Sequence, residues 1–330
     1  MAEVFIADDL KLITTEIQSE REAFREDVLT GLTASEKHLS CQFFYDSHGS
    51  ELFEAICDLP EYYLTRAESE ILEAHANDIV SAAPKDVSLV ELGSGSATKT
   101  RLFIEALLKR QGQLQYIPVD ISRTALEESS RDLVEKYSEL SILGVSAEYQ
   151  EGLGIAQEKV TGPRFILWLG SSIGNLDRDA AVAFLGDIQK TMTVQDQLLV
   201  GIDLRKDGDI LEVAYDDSQG VTAEFNLNLL RRINEEFGGQ FDLEGFEHQA
   251  LYDETLGRVE MHLLSKVDQK VILADLDKTI SFTAGEIIHT ENSYKYSTEE
   301  INMLFARAGL KLKRQWFDEE VRFSLNLVSK

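Results

Sequence analysis

Apolar positions along the chain change their spacing twice. Up to about residue 80 the pattern is mainly helical. Residues 65–75 (TRAESEILEAH) predict a helix with Thr65 as cap and Glu68 three positions on, the pattern of a capping box. From residue 87 short continuous apolar runs alternate with amphipathic stretches. Residues 87–92 (VSLVEL), 116–119, 142–145, 165–169 (FILWL) and 197–204 (QLLVGIDL) predict five strands. Residues 98–111, 122–137 and 178–192 predict helices between them; in the second, Leu126, Leu133, Val134 and Tyr137 share one face. Strands without polar alternation are buried on both faces, so the repeated order predicts a parallel sheet covered by helices.

After Asp203 the alternation breaks. Residues 221–237 predict a helix whose inner stripe is Phe225, Leu229, Leu230, Ile233 and Phe237, ended by Gly238-Gly239. Hairpin-like strands follow from about 246 to 276. A second capping box, Ser297 with Glu300, opens the next helix; Tyr296 and Ile301 can staple it, and Gly309 ends it. The final stretch alternates in two arms, Leu310/Leu312 and Val321/Phe323/Leu325/Leu327, which predicts an antiparallel hairpin that completes the sheet. The expected fold class is therefore α/β: a Rossmann-like, mostly parallel sheet with a second, α+β domain. Residues 1–80 read as the helical part of that second domain, 81–216 as the sheet core, 217–290 as an inserted segment of the second domain, and 291–330 as the return to the core.

The composition changes this picture little. The 330 residues are 43% hydrophobic and 28% charged, as in an ordinary globular chain. No apolar run reaches membrane-spanning length, and the N-terminus lacks a signal-peptide pattern, so a cytoplasmic location is expected. The formal charge of −27 repels phosphate backbones and anionic lipid, which disfavours nucleic-acid and membrane partners. It suits a small zwitterionic or cationic substrate. Oligomeric state is left open, with a monomer slightly favoured. Cys41 and Cys57 form no CxxC pair and read as reduced thiols. The six histidines (38, 48, 75, 248, 262 and 289) show no metal-ligand spacing, so no metal is expected.

One segment carries candidate chemistry by itself. Glu91-Leu-Gly-Ser-Gly95 follows a strand and opens a helix, where glycines let the backbone approach a ligand and helix N–H groups lack partners. Asp120 ends the next strand, positioned to accept hydrogen bonds from ribose hydroxyls. A dinucleotide fingerprint would place a third glycine where Thr98 stands, and the spacing before Lys99-Thr100 is wrong for a phosphate-binding loop. An adenosyl ligand without phosphates needs neither. S-adenosylmethionine is thus favoured over a nicotinamide cofactor.

Several segments resemble one family, the histidine Nα-methyltransferases of ergothioneine biosynthesis: FFYDSHGSELFEAI (43–56), LPEYYLTRAESEIL (59–72), ELGSGSATKTR (91–101), YIPVDIS (116–122), LWLGSSIGNL (167–176), AYDDSQGVTAEFN (214–226) and HTENSYKYS (289–297). The resemblance implies a class I methyltransferase sheet with a substrate-binding domain. It assigns Gly93, Lys99 and Asp120 to S-adenosylmethionine, with Glu148-Tyr149 at the adenine, where the family pattern has Asp-Phe. It puts Tyr62, Asn175 and Tyr215 around a substrate carboxylate, Tyr45 and Gly170 near the amine, and Glu291 with Ser293 at an imidazole. Taken singly, Tyr45 and Tyr62 read as core aromatics, Asn175 as a turn residue and Glu291 as a solvated charge. Two residues apart on an extended strand, Glu291 and Ser293 point to one face, and together they can bind both ring nitrogens of histidine. The implied reaction is trimethylation of the α-amino group of L-histidine to hercynine. No general base stands out. The competing readings are an N-methyltransferase for tryptophan or a derivative, a non-catalytic adenosyl-binding regulator, and a nicotinamide-dependent dehydrogenase.

Overall fold

A computed structural model describes residues 2–7, 9–15 and 20–330. The chain opens with strands β1 (Ala2–Ala7) and β2 (Leu10–Thr14), followed by helices α1 (Glu20–Thr33), α2 (Ser47–Asp58) and α3 (Leu64–Ala82). Strands and helices then alternate: β3 (Ser88–Leu92), α4 (Thr100–Gln111), β4 (Leu114–Asp120), α5 (Arg123–Lys136), β5 (Leu140–Ser146), α6 (Tyr149–Lys159), β6 (Arg164–Trp168), α7 (Arg178–Thr191) and β7 (Gln197–Asp203). Next come α8 (Gly208–Tyr215), α9 (Val221–Phe237), β8 (Phe246–Asp253), β9 (Arg258–Ser265), β10 (Gln269–Leu273), β11 (Lys278–Phe282) and β12 (Ile287–Tyr294). The chain closes with α10 (Thr298–Arg307), β13 (Lys311–Phe317) and β14 (Phe323–Ser329).

Two compact units result. The sheet unit comprises Met1–Ile17, Arg66–Leu204 and Tyr296–Lys330; the helix–strand unit comprises Gln18–Thr65 and Arg205–Lys295. These junctions lie near residues 17, 65, 204 and 295, whereas sequence patterning set them near 80, 216 and 290.

The sheet unit is built on nine strands in the order β1-β2-β5-β4-β3-β6-β7-β14-β13. Pairing from β2 through β7 is parallel, and the predicted C-terminal hairpin joins antiparallel through β14. All five residues of β6 are buried, as a strand covered on both faces requires. The chain moves outward from β3 to β4 and β5, then returns to β6 on the other side of β3. That reversal leaves a crevice outside the carboxyl ends of β3 and β6, where open α/β sheets bind ligands. In the helix–strand unit, antiparallel strands β12-β9-β8 pack against α8 and α9, and α9 packs on α2. Phe44 stacks on Phe225 at 4.4 Å between ring centres.

Three local expectations are corrected. The first 80 residues are not only helical: β1 and β2 extend the central sheet, because five residues pairing in parallel with β5 leave too short a period to separate from a helix turn. Thr65 lies inside α3, which starts at Leu64, so Glu68 is not part of a capping box and its carboxylate is used elsewhere. Val321 sits in the turn before β14, at φ +55°, and not in the strand. The Ser297–Glu300 capping box forms as predicted. Neither cysteine is in a disulfide. Among the described residues no helix is long and apolar enough to cross a membrane.

Candidate functional site

In the sheet unit, β3 ends at Leu92 and the chain turns at once through Gly93-Ser94-Gly95. Gly93 has φ +70°, a conformation that favours glycine, and a Cβ there would stand 2.7 Å from the Tyr149 hydroxyl oxygen, so the tip of that ring would have to shift. A Cβ on Gly95 would meet no atom within 4 Å. Asp120, the last residue of β4, accepts hydrogen bonds from the backbone N–H of Gly95 and of Ser122, each at 2.9 Å. Burial raises its carboxyl pKa and these amides oppose the rise. Tyr149 begins α6 and meets Trp168 edge-on at 6.4 Å. The structure therefore gathers Gly93, Asp120 and Tyr149 about one loop. Glu148 precedes α6 with its side chain exposed and no capping hydrogen bond.

Lys99 leads to a residue that sequence reasoning passed over. Its Nζ donates to Glu68 at 2.5 Å, and the N–H of Gly170 donates to both oxygens of the same carboxylate, at 2.9 and 3.1 Å. Glu68 is completely buried, and a Cβ on Gly201 would collide with its Oε1. A buried carboxylate thus links the expected Lys99 to the expected Gly170. Below the loop, Glu91 accepts from Thr100 Oγ1 at 2.5 Å and from the Tyr116 hydroxyl. Burial pushes the Glu91 carboxyl up to about 7 against the pull of those donors and Lys99. Beyond β6 the backbone is left-handed at Gly170 (φ +73°) and Ser171 (φ +60°) before a short 3-10 turn, Ser172–Asn175. Ser171 Oγ accepts from the Asp203 N–H at 2.9 Å, tying that turn to β7.

In the helix–strand unit, Tyr45, Phe53, Tyr62 and Tyr215 form a run of edge-on aromatic contacts at 5.5, 6.3 and 6.1 Å. Asp46 anchors its start by accepting from the N–H of Gly49 in α2 (2.7 Å) and from Asn228 Nδ2 (2.8 Å). Tyr45 is 38% exposed, while Tyr62 and Tyr215 are buried. Burial drives the Tyr62 phenol well above its ordinary value, with Tyr215, Cys57, Tyr45 and Glu291 adding to the effect. His248 positions Tyr215 by bonding the Tyr215 carbonyl through Nε2 at 2.8 Å; Asn226 holds the other ring nitrogen at 2.8 Å. Burial lowers the His248 pKa, so the ring does this as a neutral donor. Asp217 accepts three amides, from Gln219, Val221 and Thr222, which fixes the chain entering α9.

β12 supplies the charged part. A bulge between His289 and Glu291 shifts its register against β9, and Thr290 Oγ1 donates to the Met261 carbonyl at 3.0 Å. The Ser293 Oγ lies 2.8 Å from the Tyr215 hydroxyl, and Lys295 Nζ donates to both at 2.8 Å. Lys295 is 0% exposed. Glu291 is also buried, which raises its carboxyl to about 7, and the Lys295 charge acts against that rise. Lys295 was missed, although the signal was present: the parity that pairs Glu291 with Ser293 continues to Lys295. Glu68 had no such signal, since only the fold brings it to Lys99.

Glycines, a carboxylate and an aromatic ring around one loop suit an adenosyl ligand, and buried carboxylate, hydroxyl and ammonium groups suit a polar amino acid. The family described as histidine-specific, SAM-dependent methyltransferase matches residues 24–330. The chain is 40% identical to the histidine N-alpha-methyltransferase of Mycolicibacterium smegmatis, over 94% of this chain and 96% of that protein. It is 34% identical to ergothioneine biosynthesis protein 1 of Neurospora crassa, over 89% of this chain but 33% of that longer protein. The L-tryptophan methyltransferase of Psilocybe serbica is 29% identical, with 80% of each chain covered. On the extent of the family match and of that 40% identity, the chain belongs to the SAM-dependent, histidine-specific methyltransferases.

Proposed function

We propose that the enzyme transfers three methyl groups in succession to the α-amino nitrogen of L-histidine, giving hercynine as the first step of ergothioneine biosynthesis. The observation that carries the reading is the buried Glu291 carboxylate on the same strand as Ser293, with the buried Lys295 just past the strand's end. A carboxylate and a hydroxyl answer the two nitrogens of an imidazole, whereas an indole offers a single N–H donor and would leave one of them unmatched. The names of the Mycolicibacterium and Neurospora relatives support it.

The sheet unit fits the methyl donor. Ser94 Oγ is buried by the glycine loop without a hydrogen-bond partner among the described residues, and Gly95 borders open space. Gly93, Lys99, Asp120, Glu148 and Tyr149 are assigned to S-adenosylmethionine: Asp120 to the ribose, Tyr149 with Glu148 to the adenine. When bound, that group supplies a methyl already activated on a sulfonium. The protein's work is then to align a neutral amine, and such positioning can contribute about 7–11 kcal/mol. Within the helix–strand unit, Tyr62 and Tyr215 are assigned to the amino-acid carboxylate and Tyr45 to the amine. The Tyr62 phenol is held too strongly protonated to serve as a base at neutral pH. No side chain is assigned that role, and the amine proton passes to water.

The test is a mass-spectrometric assay with S-adenosylmethionine and a panel of amino acids. A histidine-dependent product carrying three added methyl groups is expected; methylation of tryptophan with histidine untouched would overturn the assignment.

A further inference from the structure

On the other side of β12 lies a second group of ionisable side chains that the methyl-transfer reading does not use. His289 of β12 pairs in register with His262 of β9. Glu260 stands two residues from His262, and two-residue spacing puts both on one face of the strand. One ligand atom from each of Glu260, His262 and His289 lies within 4.8 Å of the others. Glu260 Oε2 and His262 Nε2 are already 3.1 Å apart. In a tetrahedral shell with bonds of about 2.0–2.1 Å, ligand atoms stand roughly 3.3 Å apart, so small side-chain rotations close the set.

The surroundings match what such a ligand set needs. Asn292 holds the His289 ring, with its Oδ1 3.0 Å from Nε2. The bulge after His289 makes this contact possible across three residues. Arg258 Nε donates to Glu260 Oε1 at 2.7 Å, which fixes the carboxylate while Oε2 faces His262. Outer partners of this kind orient metal ligands. The cluster is reachable, since the Glu260 side chain is 21% exposed. Sequence spacing did not reveal it because the ligands come from separate strands.

We propose that Glu260, His262 and His289 form a non-catalytic binding site for a divalent transition-metal ion of the zinc class, bridging β9 and β12. Two imidazoles and a carboxylate favour zinc, cobalt or nickel over magnesium or calcium, which prefer all-oxygen shells. A cross-strand clip there braces the strand whose opposite face carries Glu291 and Ser293.

The test is a Co²⁺ titration of the full, tag-free chain, followed by visible absorption. One equivalent should give the bands of a four-coordinate ion, and Zn²⁺ should abolish them. Asn292→Ala should weaken binding about tenfold or more, and His289→Gln should weaken it further. The double variant His262→Ala/His289→Ala should lose the bands. Circular dichroism checks that each variant is folded, and His75→Ala, outside the cluster, should bind Co²⁺ like the parent. The proposal is overturned if the parent shows no bands at stoichiometric Co²⁺, or if folded His289→Gln retains them with unchanged affinity.

Discussion

At Gly93–Gly95 of the sheet unit, the surface proposed for the methyl donor is mostly backbone, held by a carboxylate that accepts the Gly95 amide. At β12 and just past it, in the helix–strand unit, the groups proposed for the substrate are side chains, and the chain buries an acid, a hydroxyl and an ammonium there. Backbone recognition there buries no charge without a partner, because the Gly93 and Ser94 N–H groups are satisfied by the Val119 carbonyl and the Gly95 N–H by Asp120. Side-chain recognition costs desolvation, visible in a Glu291 carboxyl raised to about 7. In the proposed roles, the first region serves any adenosyl ligand, whereas the second discriminates, since a substrate that fails to pair leaves a buried polar group unmatched.

Variants can break this contrast, and the largest effect is expected at Asp120. Asp120→Ala removes the anchor of the loop and the proposed ribose acceptor, about two charge-assisted hydrogen bonds. Binding of S-adenosylhomocysteine by calorimetry should weaken by roughly 150-fold or more, since such bonds are each worth roughly 1.5–3 kcal/mol. Glu291→Ala should lower kcat/KM for histidine by about 10- to 100-fold, from roughly 1–3 kcal/mol, with the affinity for S-adenosylhomocysteine unchanged. If histidine turnover by this variant equalled that of the parent, the imidazole assignment would fail. Lys295→Met should raise KM for histidine by about tenfold, as one charged hydrogen-bond donor is lost. It should also move the pH profile of histidine use upward, because the opposing charge that lowers the Glu291 pKa is gone.

The smallest effect is thermal. Glu91 and Glu291 keep their protons in the folded chain up to about 7, while the unfolded chain loses them near 4.5. The folded state therefore binds more protons across that window, and their contribution to stability falls as pH rises through it. His248, His262 and His289, lowered from 6.5, act in the opposite sense below that value, so the informative comparison is variant against parent. Glu291→Gln should make Tm, followed by circular dichroism from about pH 5 to pH 8, drop less by about 3 °C. An unchanged slope would mean that Glu291 titrates normally.

Much of the architecture was legible because its signals are local. Continuous apolar runs marked β3 to β7, and the Ser297–Glu300 pair marked the start of α10, because both depend on near neighbours in the chain. The glycine loop and the acid ending β4 were legible for the same reason. β2 was not, since its place comes from pairing with β5 more than 100 residues away, at Leu10 with Ile142. The Thr65–Glu68 pattern misled because a local cap competes with a distant partner, and the distant pair with Lys99 formed.

By itself the sequence determined the alternation of strands and helices, the conformation at Gly93 and the parity that sets Glu291 and Ser293 on one face, since these follow from steric limits and periodicity within a few residues. Tertiary structure alone decided which charges are buried together. Glu68 with Lys99 and Gly170, Lys295 with Tyr215, and His262 with His289 each meet across long stretches of chain. Burial, which shifts Glu91 and Glu291 to about 7, is a property of the packed surroundings and is carried by no residue's own neighbours in sequence.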